Sequence, residues 1–281
     1  MNPNYQRKSM TLTLRTISHR FGCALIGAAT LFGPPGAAMA QEAKSTQVGA
    51  PTAAPAKDFK DERALAALKS MSGTLAAAKT LSFKVRGIVP TPSPTGQYVS
   101  LFASSRVVMQ RPDKLFVEAR GDLFPSDSFY DGKTVTVIGA DRKFYTQRDA
   151  AGGAIESLMH AIQPGSEATA PFLDLLVADS YSLLTKDFTS ALWVGQSTVG
   201  GVKTEHLAFT APGLDWEIWI GAADKLPRLM VVSYRSGERQ PTFTAEFSEW
   251  KLNATVPAKT FSAAIPPSAV KLEFKQIGPA K

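Results

Sequence analysis

The chain has 281 residues, of which 44% are hydrophobic and 20% charged, with three histidines, one cysteine and a formal net charge of +7. That balance excludes a disordered polar chain and a disulfide-stapled miniprotein. It is no nucleic-acid signature either. Four of the 31 basic residues and none of the 24 acids precede Gln41, so beyond that point 27 bases face 24 acids and the charge falls to +3.

The first segment reads as a secretory signal peptide over residues 1–40. Arg7, Lys8, Arg15 and Arg20 form a basic region, Cys23 to Phe32 a short apolar run, and Ala38-Met39-Ala40 a small-residue cleavage site, with cleavage expected after Ala40. Gly27, Gly33, Pro34 and Pro35 interrupt the run, which falls short of the ~20 residues of a spanning helix. The expected location is the periplasm. Cleavage removes Cys23, leaving no thiolate metal ligand. Residues 41–57, rich in Ala, Pro, Ser and Thr, read as a flexible linker. Residues 58–274 read as one domain and 275–281 as a tail, with no later apolar stretch long enough to cross a membrane.

Asp61 to Lys79 predicts a helix, with Leu65, Leu68, Met71 or Ser72, and Leu75 at helical spacing. Leu81, Phe83 and Val85 alternate with polar residues, so a strand follows. Pro90 to Gly96 reads as a loop, Tyr98 to Gln110 as a strand, Arg111-Pro112-Asp113-Lys114 as a turn and Leu115 to Arg120 as a strand. Phe129 to Tyr145 reads as a meander. Its Asp131-Gly132 predicts a type I′ turn, and Val135 and Val137 oppose Thr134 and Thr136 as if one face were wet.

Ile155, Leu158, Met159 and Ile162 predict an amphipathic helix in mid-chain, and Pro171 opens a second with Leu173, Leu176, Val177 and Leu184 in one stripe. Strands resume at Leu192–Gln196, Lys203–Phe209, Leu214–Ile220, Leu229–Tyr234 and Phe243–Leu252, and a short one falls near Val270–Phe274. The fold class expected is mainly β (α+β): a curved antiparallel sheet of about ten strands, paired in sequence order, with helices capping its concave face.

Catalytic chemistry is sparse. Outside the signal only His160 and His206 remain, too few and too separated for a hydrolase triad or a typical zinc site. Asp174, Asp179, Asp215 and Glu217 read as solvated acids in the absence of any motif. Gly195, Gly200 and Gly201 are read as hairpin turns, not as a phosphate loop. No cofactor, metal site or nucleic-acid partner is expected, and the expected activity is not enzymatic. The informative feature is aromatic placement, with Trp216, Ile218 and Ile220 on one strand face. A hydrophobic pocket chosen by face comprises Phe83, Val85, Met159, Phe172, Leu176, Trp216, Ile218, Phe243 and Phe247.

Five motifs carry a resemblance: Arg111-Pro112-Asp113-Lys114-Leu115, Tyr130-Asp131-Gly132-Lys133-Thr134, Ser197 to Val202, Asp215 to Ile220, and Glu249 to Asn253. In this order they resemble a family of predicted periplasmic proteins known as domain of unknown function 2092. More distantly, the layout is similar to the LolA-like lipoprotein-carrier superfamily. That resemblance implies an unclosed half-barrel with helices as a lid over an apolar cavity that receives acyl chains. It implies a non-catalytic binding or carrier protein for a lipid, acyl chain or lipoprotein. The alternative is an envelope protein-interaction or sensor module with a filled pocket.

Overall fold

The computed structural model describes residues 58–150, 155, 171–235 and 240–273. The expected signal peptide, linker and tail lie outside the described residues, as does the mid-chain helix except Ile155. Helix α1 (Glu62–Ala77) begins at Asp61, whose carboxylate accepts a hydrogen bond from the Arg63 N–H at 2.9 Å. The Arg63 guanidinium, and then that N–H, hold the Asp61 carboxyl below its ordinary range. Ala64, Leu68, Met71 and Leu75 recur every three or four residues, so one stripe is buried. Each of the larger side chains contributes about 1.5–3 kcal/mol by leaving water.

Among the described residues twelve strands form one open sheet. They are β1 (Thr80–Pro92), β2 (Tyr98–Gln110), β3 (Lys114–Gly121), β4 (Ser126–Tyr130), β5 (Thr134–Gly139), β6 (Phe144–Asp149), β7 (Ser190–Val199), β8 (Val202–Ala211), β9 (Leu214–Gly221), β10 (Pro227–Tyr234), β11 (Thr242–Leu252) and β12 (Val270–Lys271). The spatial order is β12-β6-β5-β4-β3-β2-β1-β11-β10-β9-β8-β7. Pairing thus follows the sequence except at two seams, where β1 meets β11 antiparallel and β12 adds to β6 in parallel.

That order dictates what lies over the inner face. Strand β6 ends in one wing and β7 begins at the far edge of the other, so the chain between Asp149 and Ser190 has to cross the sheet. Its described parts, Ile155, a 3-10 helix at Pro171–Leu176 and helix α2 (Ser180–Thr185), pack with α1 over that face.

Several details correct the sequence reading. The helix expected from Pro171 is two short pieces, because Asp179 accepts from the Ser182 N–H at 3.1 Å and caps a new helix instead of continuing the old one. The expected loop at Pro90 to Gly96 begins later, since Pro90, Thr91 and Pro92 pair with Ser100, Val99 and Tyr98. Beyond Ile88, β11 no longer flanks β1, and a proline without an N–H is tolerated on such an edge.

The Asp131-Gly132 turn is not type I′, because only Gly132 of the pair has positive φ, at 96°. The Asp131 side chain closes the turn by accepting from the N–H groups of Lys133 and Thr134, at 2.9 and 2.8 Å. Gly195 lies inside β7, where the register against β8 slips between Trp193 and Gly195 in a bulge. Nor is the second face of the meander wet. Thr136 and Ile138 are buried, and on the same outer face Val108 and Phe116 pack under Phe261 from the returning C-terminal segment.

Candidate functional site

The inner face is built from alternate residues of most of the strands. Phe83 and Val85 come from β1, Phe243 and Phe247 from β11, Met230 and Val232 from β10, Trp216, Ile218 and Ile220 from β9, and Leu207 and Phe209 from β8. Opposite them stand Leu68, Met71 and Leu75 of α1 with Leu175, Leu176 and Val177, all in one continuous apolar cluster. Eight of the nine pocket residues chosen from the sequence belong to this cluster or pack against it, while Met159 lies outside the described residues.

Aromatic rings fill the centre. Phe83 stacks on Trp250 at 4.3 Å between centroids and meets Phe247 at 6.0 Å, and Phe172 comes from the covering segment to meet Phe83 at 6.5 Å and Phe247 at 6.1 Å, edge to face. On the β8–β9 wing Phe209 stacks on Trp216 at 4.0 Å.

Sequence reasoning missed Trp250 because the alternation of Phe243, Ala245 and Phe247 makes Glu249 the next inward residue. Glu249 instead has φ of 55°, and the β1–β11 register slips there, so Trp250 turns inward and its indole N–H donates to the Pro227 carbonyl at 2.9 Å. No local signal in the sequence marks that bulge.

Polar contacts fasten the described part of the cover. Ser72 on α1 shares a hydrogen bond with Ser180 at 2.6 Å and accepts one from the Tyr181 N–H at 2.8 Å. Arg111, at the end of β2, reaches up with its Nη2 to donate to the carbonyl of Leu176 at 3.0 Å and that of Leu75 at 3.4 Å. One guanidinium therefore joins the last turn of α1 to the end of the 3-10 helix.

Of the titratable residues weighed as catalytic, Asp174 lies in the covering 3-10 helix and His160 outside the described residues. His206 stacks on Trp219 at 3.8 Å and bonds Glu217 at 2.7 Å on the outer face, and Asp215 pairs with Arg235 at 3.5 Å. Asp179 is occupied in capping α2. Among the described residues no group of three or more His, Cys, Asp and Glu is arranged to hold a metal, and no helix is long and apolar enough to cross a membrane. A recess of about 260 Å³ opens at the end of the sheet between the β7–β8 and β9–β10 turns and β11, with Phe247 and Trp250 in its wall and Asp224, Arg228 and Glu249 at its rim.

Among solved structures, an uncharacterized conserved protein from Thermus thermophilus aligns at 11% identity with a TM-score of 0.43, covering 73% of this chain and 98% of that one. The Mycobacterium tuberculosis lipoprotein LppX aligns at 14% identity and 0.40, covering 70% and 99%. A LolA superfamily protein from Nitrosomonas europaea aligns at 12% and 0.33, covering 71% and 97%. No curated protein matches the sequence. Residues 64–275 match the family described as predicted periplasmic protein (DUF2092), and the chain belongs to that family of periplasmic proteins.

Proposed function

We propose that the protein is a periplasmic binding or carrier protein for a hydrophobic ligand, a lipid, an acyl chain or a lipoprotein, and that it performs no covalent chemistry. The observation that carries this reading is the inner face itself. An open sheet presents a continuous aromatic and aliphatic surface, covered by α1 and by the segment that crosses from β6 to β7, and the described polar bonds of that segment run to α1 and Arg111. Such a cover separates from the sheet without unfolding it, and an apolar guest replaces the contacts the cover gives up. Native mass spectrometry with organic extraction, on protein purified from its own envelope, tests the reading. A co-purified phospholipid or acylated peptide supports it, and a clean apo mass counts against it.

A second reading, an envelope protein-interaction module with a filled pocket, is favoured by one feature. The β1–β2 hairpin runs beyond its neighbours, since β11 reaches only Ile88 and β3 only Ala103. Tyr98 and Phe102 are exposed on that ribbon, and Phe124 is exposed on the adjacent turn. Capture of one defined envelope protein by the wild type but not by a Phe102→Ser, Phe124→Ser variant supports this second reading.

A further inference from the structure

The wing formed by β4, β5 and β6 differs from the aromatic wing in one respect. Tyr130 is 1% exposed and belongs to the main apolar cluster, yet among the described residues its hydroxyl has no hydrogen-bond partner. The same holds for the Thr146 hydroxyl, also buried. Pairing places both on the inner face: Tyr130 lies opposite Leu115 and Val135, and Thr146 lies opposite Val137, which packs on the same cluster.

Several other buried hydroxyls are satisfied. Ser72 meets Ser180, Thr204 bonds Ser197, and Thr136 accepts from Gln147. Two buried, unpaired hydroxyls in one wing of one face call for a partner.

We propose that Tyr130 and Thr146 are the polar anchor of the binding face, donating hydrogen bonds to an acceptor oxygen at the end of an acyl chain whose tail runs toward the Phe247–Trp250 cluster. This deepens the carrier reading and rests on it. Burial first, and then the charges of Asp113 and Asp131, raise the Tyr130 phenol above its ordinary range, so the hydroxyl stays protonated and acts as a donor. Strand spacing puts the two Cα positions roughly 12 Å apart, and β11 lies four strands from β4, roughly 19 Å at ~4.8 Å per strand. That distance is of the order of an extended sixteen-carbon chain. A free carboxylate and an ester carbonyl offer the same acceptor chemistry.

The test compares the wild type with a Tyr130→Phe, Thr146→Val variant in titrations with palmitate, monopalmitoylglycerol and the neutral apolar dye N-phenyl-1-naphthylamine, alongside thermal unfolding. The expected result is about tenfold weaker binding of the acyl ligands, unchanged dye binding and no fall in Tm, since the removed hydroxyls bond nothing in the free protein. Weakening of palmitate alone identifies a carboxylate as the anchored group, and weakening of monopalmitoylglycerol alone identifies an ester. Unchanged acyl binding, or loss of all three ligands together with a lower Tm, overturns the anchor. A wild type that binds none of the three overturns the carrier reading and the anchor with it.

Discussion

Replacing Arg111 by Met tests whether the cover is held as a unit. The guanidinium donates to Leu176 O at 3.0 Å and to Leu75 O at 3.4 Å, so the variant loses at least these two bonds while keeping much of the apolar stem. A hydrogen bond from a charged donor contributes about 1.5–3 kcal/mol, and the longer bond sits at the weak end of that range. Together they stabilise the closed arrangement by roughly 2–3 kcal/mol, which corresponds to a roughly 30- to 150-fold shift toward opening when they are removed. Amide hydrogen exchange on the whole protein reads this directly. Exchange in Pro171–Leu176, Ser180–Thr185 and the last turn of α1 is expected to accelerate while β9 stays as slow as before. Arg111→Lys is expected to fall between, because the shorter lysine side chain keeps the charge but brings its ammonium less close to the two carbonyls. Unchanged exchange in the covering segments would refute the reasoning. So would acceleration spread evenly into β9, since that outcome marks a loss of global stability and not an opening.

Phe261→Ala removes the lid of the outer cluster over Val108 and Phe116 and is expected to cost about 3–5 kcal/mol in urea unfolding, although Phe261 is far from the inner face. Gly132→Ala places a Cβ 2.5 Å from Asp113 Oδ2 at a φ of 96°, and a loss of about 1–3 kcal/mol is expected, read as a lower Tm. The Asp179 carboxyl is held below its ordinary value of 3.8 by its side-chain and then backbone bonds to Ser182, so its stabilising charge is present above that value and is lost as pH falls through the lower folded one. The Tm gap between wild type and Asp179→Asn is therefore expected to be constant from pH 7 to about pH 5 and to narrow below pH 3.8.

Most of the sheet was legible because its inner positions alternate with polar ones: Leu81, Phe83 and Val85, or Trp216, Ile218 and Ile220, announce both strand and face. What could not be read depends on events between distant segments. The β1–β11 seam joins residues about 165 apart, and neither strand carries a mark of the other in its own sequence. Tyr130 looked like one more meander aromatic, and only the strand pairing showed that its hydroxyl is enclosed. In the sequence Arg111 is the first residue of a turn, and its long side chain acts in the covering layer. The break at Val177 to Asp179 escaped because apolar residues continue at helical spacing on both sides, while one carboxylate decides where the backbone restarts.

The same geometry sets which guests the binding face accepts. Opening separates Phe172, Leu175, Leu176 and Val177 from the sheet and from α1, and at about 1.5–3 kcal/mol per apolar side chain this costs roughly 6–12 kcal/mol if all four reach water. A guest offsets that cost only with its own buried methylenes, at about 0.8 kcal/mol each, so a sixteen-carbon chain offers roughly 12 kcal/mol and an eight-carbon chain roughly 6. The carrier reading therefore predicts a threshold and not a gentle slope. In titrations with saturated fatty acids of eight to eighteen carbons, binding is expected to be undetectable for the shortest and to appear steeply between about ten and fourteen carbons. Arg111→Met, by weakening closure by roughly 2–3 kcal/mol, is expected to move that onset about three carbons shorter. Equal affinity for eight- and sixteen-carbon chains would mean that guests bind at the exposed rim without displacing the cover, and the coupling between opening and binding argued from these residues would fail.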